Sequence, residues 1–325
     1  MRVNDDTPND RLTLRFLAAP TDVTVAGTAV PAGRVLEWID KAGYGCAVGW
    51  AGGNAVTAYV GDVNFRHPIR PGDLVEVHAR ILLTGRSSMH ILVTVEASDV
   101  RRRSFTPAMH CIIIFVAVDE NGRPRPVPEW KPWTTGDSTL QDRVRARIEP
   151  RRLIHEEMRA QSYTDASSTP RTVFRFLAAP GDVNWSGKTH GGTVMRWIDE
   201  TAFACAASWS SDEAVSVYSG GIHFYSPIAI GDIVEIDSRL VHTGPHSMHI
   251  ISRLRSGSPR TPHQLELKAQ CISIFVVPDG AGAATPIIPL PIITPEDRVL
   301  DEHAVTLMAM RQALADIPLG LAREL

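Results

Sequence analysis

Two segments of the chain carry the apolar spacing of a helix. In each segment, apolar residues recur at intervals of three or four positions and so form one stripe of a helical surface. The stripe of the segment that begins near Gly191 consists of Val194, Ile198, Ala202 and Cys205. The equivalent stripe in the first half consists of Val35, Ile39, Gly43 and Cys46. We therefore predict two helices, each buried along one side.

Other segments alternate between apolar and polar residues, as strands do. Residues 75–83 place Val75, Val77, Ala79, Ile81 and Leu83 on one face and Glu76, His78, Arg80 and Leu82 on the other. Residues 89–95 alternate in the same way, and turn signals stand at 71–73 and 84–85. One helix followed by a run of long antiparallel strands is typical of an α+β unit in which the sheet curls around the helix.

The chain repeats this unit once. RFLAAPTDV at position 15 returns as RFLAAPGDV at 175, and NFRHPIRPGDLVEV at 64 returns as HFYSPIAIGDIVEI at 223. Because the offset stays at 159 or 160 positions, we expect each copy to be one folding unit. We predict a first domain over 11–130, a helical connector over 131–170, a second domain over 171–290 and a C-terminal helix over 291–325. The pair Arg151-Arg152 in the connector is assigned to a solvated helix face.

The composition supports this organisation and narrows the function. The 325 residues are 44% hydrophobic and 21% charged, with a formal net charge of -3, which fits two ordinary globular domains and argues against a nucleic-acid partner. The polar N-terminus has no apolar core of a signal peptide, and the longest apolar run, CIIIFVAV from Cys111, is too short to span a membrane. We therefore expect a cytoplasmic protein.

The cysteines indicate duplicated core positions. Cys46, Cys111, Cys205 and Cys271 fall at matching places in the two copies, and no two of them form a C-x-x-C motif. This pattern favours buried structural residues over a disulfide framework or a zinc site.

The loop before each helix differs between the copies. The second copy reads NWSGKTHGGTVMRWID over 184–199, and the first reads TVAGTAVPAGRVLEWID over 24–40. Both keep the final acid, Asp199 and Asp40, whereas the asparagine and the histidine occur once. Backbone N–H groups in the first turn of a helix are unpaired and lie at the positive end of its dipole. Gly191-Gly192 would let a substrate approach those groups closely, so this loop is the candidate site.

Together these motifs resemble those of the acyl-CoA thioesterases of the hotdog fold. The resemblance rests on the asparagine, the H-G-G, the helix that ends in W-I-D, F-x-x-P-I-x-x-G-D and G-R-S-S-M, in that order along the chain. The duplicated form is similar to the double-hotdog members. The resemblance implies a tandem hotdog in which each long antiparallel sheet wraps around a central helix. It also implies hydrolysis of acyl-CoA to a free fatty acid and coenzyme A without metal or organic cofactor, and a homo-oligomer, often of three chains.

The acid of each copy is expected to serve the other copy. Seven positions beyond Gly192, it lies about 10 Å from the start of its own helix, but it could reach the other helix across a pseudo-twofold axis. The resemblance implies the same division. The first composite site would combine Asn184, His190, Gly191 and Gly192 with Asp40. The second would combine Thr24, Pro31, Ala32 and Gly33 with Asp199. We expect only the first to be competent, because Thr24 has no amide and Pro31 has no backbone N–H.

Each residue of the first site then has an implied role. Asp40 would act as general base or as nucleophile, and its residue type allows both. Asn184 would orient water or substrate, and the N–H of Gly192 would polarise the thioester carbonyl. His190 and Gly191 would contact the substrate. Purely structural roles are the alternative: Asp40 and Asp199 could be exposed helix residues, and Asn184 could be a turn or cap residue.

A second group of polar residues is expected to hold the nucleotide end of coenzyme A. Arg86, Ser87 and Ser88 stand in a turn between two predicted strands and offer a guanidinium and two hydroxyls. The second copy has Pro-His-Ser there. The resemblance makes the R-S-S turn a nucleotide contact, and the composite site that it borders is left open.

Two other functions fit parts of the pattern. The chain could be a non-catalytic acyl-CoA or lipid sensor, since the second site has lost residues. The string GDVNFRH at 61–67 superficially resembles the Asp/His pair of hotdog enoyl-CoA hydratases, but that pair belongs at the start of the central helix, where this chain lacks it. The acyl chain length is not set by any of these motifs.

Overall fold

The computed structural model describes residues 9–23, 27–102, 104–184, 187–314 and 317. The first repeat consists of β1 (Arg11–Leu17), α1 (Ala32–Ala51), β2 (Ala55–Val60), β3 (Val63–Asn64), β4 (Asp73–Thr84), β5 (Ser88–Asp99) and β6 (Thr106–Ala117). Two helices follow, α2 (Thr135–Ala146) and α3 (Ile148–Ala160). The second repeat consists of β7 (Arg171–Leu177), α4 (Gly191–Trp209), β8 (Val215–Phe224), β9 (Ile233–Gly244), β10 (Ser247–Gly257) and β11 (Glu266–Val276), and α5 (Pro295–Gln312) comes last.

The strands of both repeats form one antiparallel sheet. This 11-stranded sheet has the order β1-β4-β5-β6-β2-β8-β11-β10-β9-β7, and β3 pairs with β8. The repeats join where Tyr59 and Val60 of β2 pair with His223 and Ile222 of β8. Each half of the sheet has the same strand order read from its outer edge. The prediction of a tandem α+β hotdog is therefore confirmed.

The two long helices α1 and α4 lie against the inner face of the sheet and against each other. The predicted apolar stripes are buried in both helices, and each buried Val, Leu or Ile contributes roughly 1.5–3 kcal/mol. At Gly43 a Cβ would lie 2.8 Å from the ring of Phe115, so the glycine lets α1 approach the sheet closely. All four cysteines are buried and free, as predicted.

The remaining helices cover the outer face. Helix α2 packs over Leu82 and Leu92 through Leu140, which explains why Leu82 departs from the polar alternation of its strand. Helices α3 and α5 pack over the second repeat. Each outer helix that begins after a repeat, α2 and α5, starts with a Thr/Asp capping box, whose two reciprocal hydrogen bonds satisfy free N–H groups.

The connector between the repeats is helical, but the structure corrects the prediction for one of its residues, Arg151. Its helical segment is divided at Arg147, which ends α2 and precedes α3. Arg152 is exposed, as a solvated face requires. The same assignment is wrong for Arg151, whose guanidinium lies over the ring of Tyr59 at 5.0 Å from its centroid.

Within the described ranges, none of the helices has the combination of length and apolar composition that crossing a bilayer requires.

Candidate active site

Asp40 of α1 meets the N-terminus of α4. The backbone N–H of Gly192 donates a hydrogen bond to Asp40 Oδ2 at 2.8 Å, and Asp40 is only 1% exposed. The contact exists because the two helices cross closely: a Cβ at Gly192 would lie 2.8 Å from the Cα of Glu37. The N–H assigned to the substrate carbonyl thus donates to the carboxylate of the other repeat in this structure.

His190 caps α4 and also reaches Asp40. Its Nδ1 lies 2.9 Å from Asp40 Oδ2 and 3.1 Å from the nitrogen of Gly192. Nδ1 cannot donate to the carboxylate and accept from the N–H at once. We assign the N–H to Asp40, which is closer, so Nδ1 carries a hydrogen that it donates to the same carboxylate. Burial lowers the pKa of His190, but the hydrogen bond and the charge of Asp40 outweigh it, and the pKa is raised.

Thr57 completes the surroundings of Asp40. Its hydroxyl, on β2, donates to Asp40 Oδ1 at 2.7 Å, so donors engage both carboxylate oxygens. The sequence reasoning missed this residue because it considered the loop and the helix alone. A signal was present, since the equivalent position in the second copy, Ser216, also carries a hydroxyl.

The glycines of the H-G-G motif are required by space. A Cβ at Gly191 would lie 2.7 Å from Thr57 Oγ1 and 3.2 Å from Asp40 Oδ1. A side chain there would occupy the space immediately beside the carboxylate. Gly191 therefore keeps the approach to Asp40 open.

Asn184 lies in the loop that leads to His190. Its Oδ1 accepts from the backbone N–H of Lys188 at 3.0 Å, and its Nδ2 lies 3.5 Å from the carbonyl oxygen of Thr189. These hydrogen bonds close the loop just before the helix cap. The structure thus brings Asp40, His190 and the two glycines together, whereas the contacts described for Asn184 are with its own loop.

The equivalent place in the other half is built from Asp199 and the start of α1. The N–H of Gly33 donates to Asp199 Oδ2 at 2.7 Å, and Pro31 takes the capping position. Among the described residues, Asp199 Oδ1 has no hydrogen-bond partner although it is buried. The hydroxyl of Ser216 donates instead to the carbonyl oxygen of Tyr218 at 3.3 Å. Thr24 lies outside the described residues.

The two acids therefore differ in their donors. Asp40 receives hydrogen bonds from Gly192, His190 and Thr57, whereas Asp199 receives one from Gly33. Burial raises the pKa of Asp199 from 3.8 to about 7, and the single N–H offsets this only in part. Near neutral pH, a large share of Asp199 is protonated and cannot act as a base.

The turn that contains Arg86 connects β4 to β5, in the same sheet as β2, which carries Thr57. Ser88 at the start of β5 pairs with Val116 of β6, and Val116 pairs with Val56, the neighbour of Thr57. Two strand spacings, roughly 10 Å, therefore separate the turn from β2. Arg86 is exposed. The turn therefore lies on the same side of the first repeat's sheet as β2, which carries Thr57.

Comparisons with known proteins agree with this architecture. A family model described as Thioesterase superfamily matches residues 30–103 and 186–263, one stretch in each repeat. The acyl-CoA thioester hydrolase YciA of Salmonella typhimurium is 34% identical over 131 residues, which are 39% of this chain and 98% of that protein. The acyl-coenzyme A thioesterase 11 of Mus musculus is 24% identical over 256 residues, which are 71% of this chain and 43% of that protein.

A solved structure extends the likeness over both repeats. A provisionally named oleoyl thioesterase from Lactobacillus plantarum covers 82% of this chain and 95% of its own, with a TM-score of 0.56 and 8% identity. At that identity it supports the fold alone. The chain belongs to the thioesterase superfamily, among the hotdog-fold acyl-CoA thioesterases.

Proposed function

We propose that this chain hydrolyses acyl-CoA to a free fatty acid and coenzyme A at one site, formed by Asp40 and the start of α4. The observation that carries the proposal is the hydrogen bond from Gly192 to Asp40, which joins an acid of one repeat to a helix N-terminus of the other. A thioester carbonyl placed there meets a carboxylate and the positive end of a helix dipole together.

Asp40 delivers the attack. As a general base it takes a proton from water while the water oxygen bonds to the carbonyl carbon; the carbon–sulfur bond then breaks and the thiolate takes up a proton. As a nucleophile its carboxylate oxygen bonds to the carbonyl carbon, the carbon–sulfur bond breaks, and the coenzyme A thiolate leaves and takes up a proton; water then hydrolyses the acyl anhydride. A single turnover in ¹⁸O-labelled water separates the two routes. Label in the protein carboxyl, or an acyl-protein adduct trapped by a rapid acid quench, indicates the nucleophile, and label in the acid product with neither of these indicates the base.

Neighbouring groups prepare the attack. Thr57 and the N–H of Gly192 fix the orientation of the carboxylate, and the carbonyl oxygen of a bound substrate shares that N–H. His190, whose pKa is raised beside Asp40, offers a further donor to the substrate. Asn184 shapes the loop and orients water. The roles of these residues rest on geometry and family likeness together.

The R-S-S turn holds the coenzyme A end of the substrate. Arg86 offers a guanidinium for a phosphate, and its turn lies two strands from Thr57, which donates a hydrogen bond to Asp40. Replacement of Arg86 by Ala should raise KM for acyl-CoA about tenfold with little change in kcat, as loss of a charge-assisted contact to a remote part of the substrate does. An unchanged KM would remove the turn from the substrate site.

Release of free thiol from acyl-CoA substrates of graded chain length tests the reaction itself. Turnover supports the hydrolase, and binding of acyl-CoA without thiol release would favour the sensor. We further propose that the chain acts in the cytoplasm and assembles as a trimer of double hotdogs. Sedimentation of the full chain measures this assembly, and a mass of one or two chains would reject the trimer.

A further inference from the structure

A tyrosine lies beside the proposed active site, one helix turn beyond Asp40. Tyr44 follows Asp40 by four positions on α1, so the two side chains lie on the same flank of the helix. The ring centroid of Tyr44 is 6.5 Å from that of His190, whose Nδ1 lies 2.9 Å from Asp40 Oδ2. Tyr44 is therefore a neighbour of the site, although the loop and helix motifs do not include it.

The sheet beneath Tyr44 fixes its place between the two ends of the proposed substrate site. Its ring packs edge-on against the ring of Phe115, with 6.4 Å between the centroids. Phe115 of β6 pairs with Thr57 of β2 on one side and with Met89 of β5 on the other. Thr57 donates to the carboxylate of the site, whereas Met89 follows Ser88, the last residue of the R-S-S turn. Tyr44 therefore lies against the strand that separates the carboxylate from the turn.

Helix α1 leads from the carboxylate toward the same turn. At the C-terminal end of the helix, the carbonyl oxygen of Ala51 accepts a hydrogen bond from the guanidinium of Arg125. Two residues later, the N–H of Val127 donates to the carbonyl oxygen of Arg86 at 3.0 Å. This short segment ties the end of α1 to the turn. Tyr44, which lies between the carboxylate and that end of the helix, borders the path from one to the other.

The second repeat lacks both members of the tyrosine–histidine pair. At the offset of 159 positions, Phe203 takes the place of Tyr44, and Pro31 takes the place of His190. Phe203 packs against a core cluster of its own repeat, so packing at this place requires only the ring. Of the two equivalent positions, the one that carries a hydroxyl is the one beside Asp40.

The hydroxyl of Tyr44 can bind a polar group. The side chain is partly buried, and its described contacts are with the rings of Phe115 and His190. Among the residues that the structure describes, none forms a hydrogen bond with the hydroxyl. Burial raises the pKa of Tyr44 above its ordinary value of 10.0. The phenol therefore keeps its proton at neutral pH and can donate as well as accept.

The thiol side of an acyl-CoA offers a polar group at the right place. The nearest amide of its pantetheine arm is separated from the thioester sulfur by two methylene groups, a length comparable with the helix turn of about 5.4 Å between Asp40 and Tyr44. An amide presents an N–H and a carbonyl oxygen, and a phenol can pair with either. A hydrocarbon acyl chain has no such partner, so the hydroxyl suits the thiol side of the substrate.

We propose that Tyr44 hydrogen-bonds this first amide and thereby makes the site select thioesters of pantetheine-type thiols over thioesters of simple thiols. This role rests on the proposed hydrolysis, whose leaving group it specifies. The hydroxyl contacts a part of the substrate that does not react and holds the sulfur in position, while Asp40 delivers the attack. Binding energy from such a remote contact contributes to kcat/KM through the orientation of the reacting groups.

Thiol release from three thioesters of one acyl group tests the proposal. The substrates are the acyl-CoA, the acyl-pantetheine and the ethanethiol thioester, which has no amide, each measured at an enzyme concentration that brings the slowest substrate into range. Tyr44→Phe removes the hydroxyl and keeps a ring that fits, as Phe203 shows in the second repeat. Its kcat/KM should fall about three- to tenfold for acyl-CoA and acyl-pantetheine, as loss of one hydrogen bond does. For the ethanethiol thioester the change should stay within about twofold.

Tyr163→Phe is the matched control. Tyr163 also carries a hydroxyl without a described hydrogen-bond partner, but its ring lies beneath Arg253 on the second repeat. The control should leave kcat/KM for all three substrates within about twofold. Thermal unfolding should show both variants folded, with the Tm of Tyr44→Phe close to that of the unmodified chain.

Three kinetic results would overturn the proposal. Equal losses with all three thioesters would place the hydroxyl of Tyr44 at the reacting carbonyl instead of the arm. A loss with acyl-CoA but not with acyl-pantetheine would move the contact to the nucleotide end. Unchanged kinetics with every substrate would remove Tyr44 from the binding site, and the hydrolase would stand without it. An unmodified chain that releases no thiol from any acyl-CoA would instead reject the proposed hydrolysis, and the role of Tyr44 with it.

Discussion

Asp40 in the first repeat accepts a hydrogen bond from the backbone N–H of Gly192 in the second repeat at 2.8 Å, although the two residues are 152 positions apart. The mirror contact joins Asp199 to Gly33 at 2.7 Å. The helices thus bring both acids to equivalent places. The difference between the sites lies in the groups around each acid.

Thr57 holds Asp40, so Thr57→Val should lower kcat by about 10- to 100-fold, as loss of an orienting hydrogen bond to a catalytic group does. The valine keeps the shape of the side chain and removes the donor. Ser216→Ala, the matched change in the second repeat, should leave kcat within about twofold because its hydroxyl donates to a backbone carbonyl away from Asp199. Steady-state measurement of kcat for both variants tests this prediction. Equal loss in both would argue that the two sites contribute alike.

The buried Asp199 should make stability depend on pH. Because burial raises its pKa from 3.8 to about 7 in the folded chain, the native state binds the proton more tightly than the unfolded state does. The contribution is therefore fully present below about pH 4 and is lost as the pH rises to about 7. The loss is at most about 4 kcal/mol, at about 1.4 kcal/mol for each pKa unit.

Asp199→Asn removes this titration. Urea unfolding from pH 4 to 8 should show the two proteins close together at pH 4, with the variant increasingly the more stable toward pH 8. Parallel curves for the chain and the variant would mean that Asp199 titrates alike in the folded and the unfolded protein.

Glu37 and Arg196 occupy equivalent positions of α1 and α4 and pair at 3.0 Å across the pseudo-twofold axis. Glu37 is 7% exposed and also accepts a hydrogen bond from Arg34, so loss of Arg196 leaves a largely buried carboxylate with one of these two cationic partners. Each single change to Leu should cost about 1–3 kcal/mol, and the double change should cost less than the sum of the two. A double-mutant cycle in urea unfolding measures the coupling, and strict additivity would show that the pair does not stabilise the crossing.

The close helix crossing predicts a steric effect at Gly192. An alanine there would place its Cβ 2.8 Å from the Cα of Glu37, which is backbone and cannot turn aside. Gly192→Ala should lower stability by about 1–3 kcal/mol and reduce hydrolysis as Asp40 moves away from α4. Gly181→Ala, where a Cβ meets nothing within 4 Å, is the control for thermal unfolding and activity. An active, equally stable Gly192→Ala would contradict the crossing geometry.

The fold was largely predictable from the sequence because its signals are local and occur twice. The helical stripe that ends in Cys205 and the alternation along residues 75–83 each specify an element and its buried face. The division of the connector at Arg147 was not predictable, since its residues suit one helix as well as two. The burial of Arg151 depends on how α3 packs on the sheet, which charge patterning does not report.

The site was predictable where it depends on helix starts and spacing. Two turns along α1 place Asp40 away from its own helix start, and that distance led to the pairing with Gly192. The role of Thr57 was not predictable in the same way, because its approach to Asp40 depends on the strand bulge that follows it. The predicted composite site places His190 near Asp40, but the motif alone does not show that the histidine would pair with the carboxylate itself.

The central claim is that one carboxylate, lent by the first repeat to the helix start of the second, performs hydrolysis. The most direct measurement is kcat for acyl-CoA hydrolysis in Asp40→Asn and Asp199→Asn, compared in the same assay. We expect Asp40→Asn to lose at least about 10²-fold, in the range typical of a general base, while Asp199→Asn retains most of the activity. An inactive Asp199→Asn beside an active Asp40→Asn would contradict the assignment across the repeats.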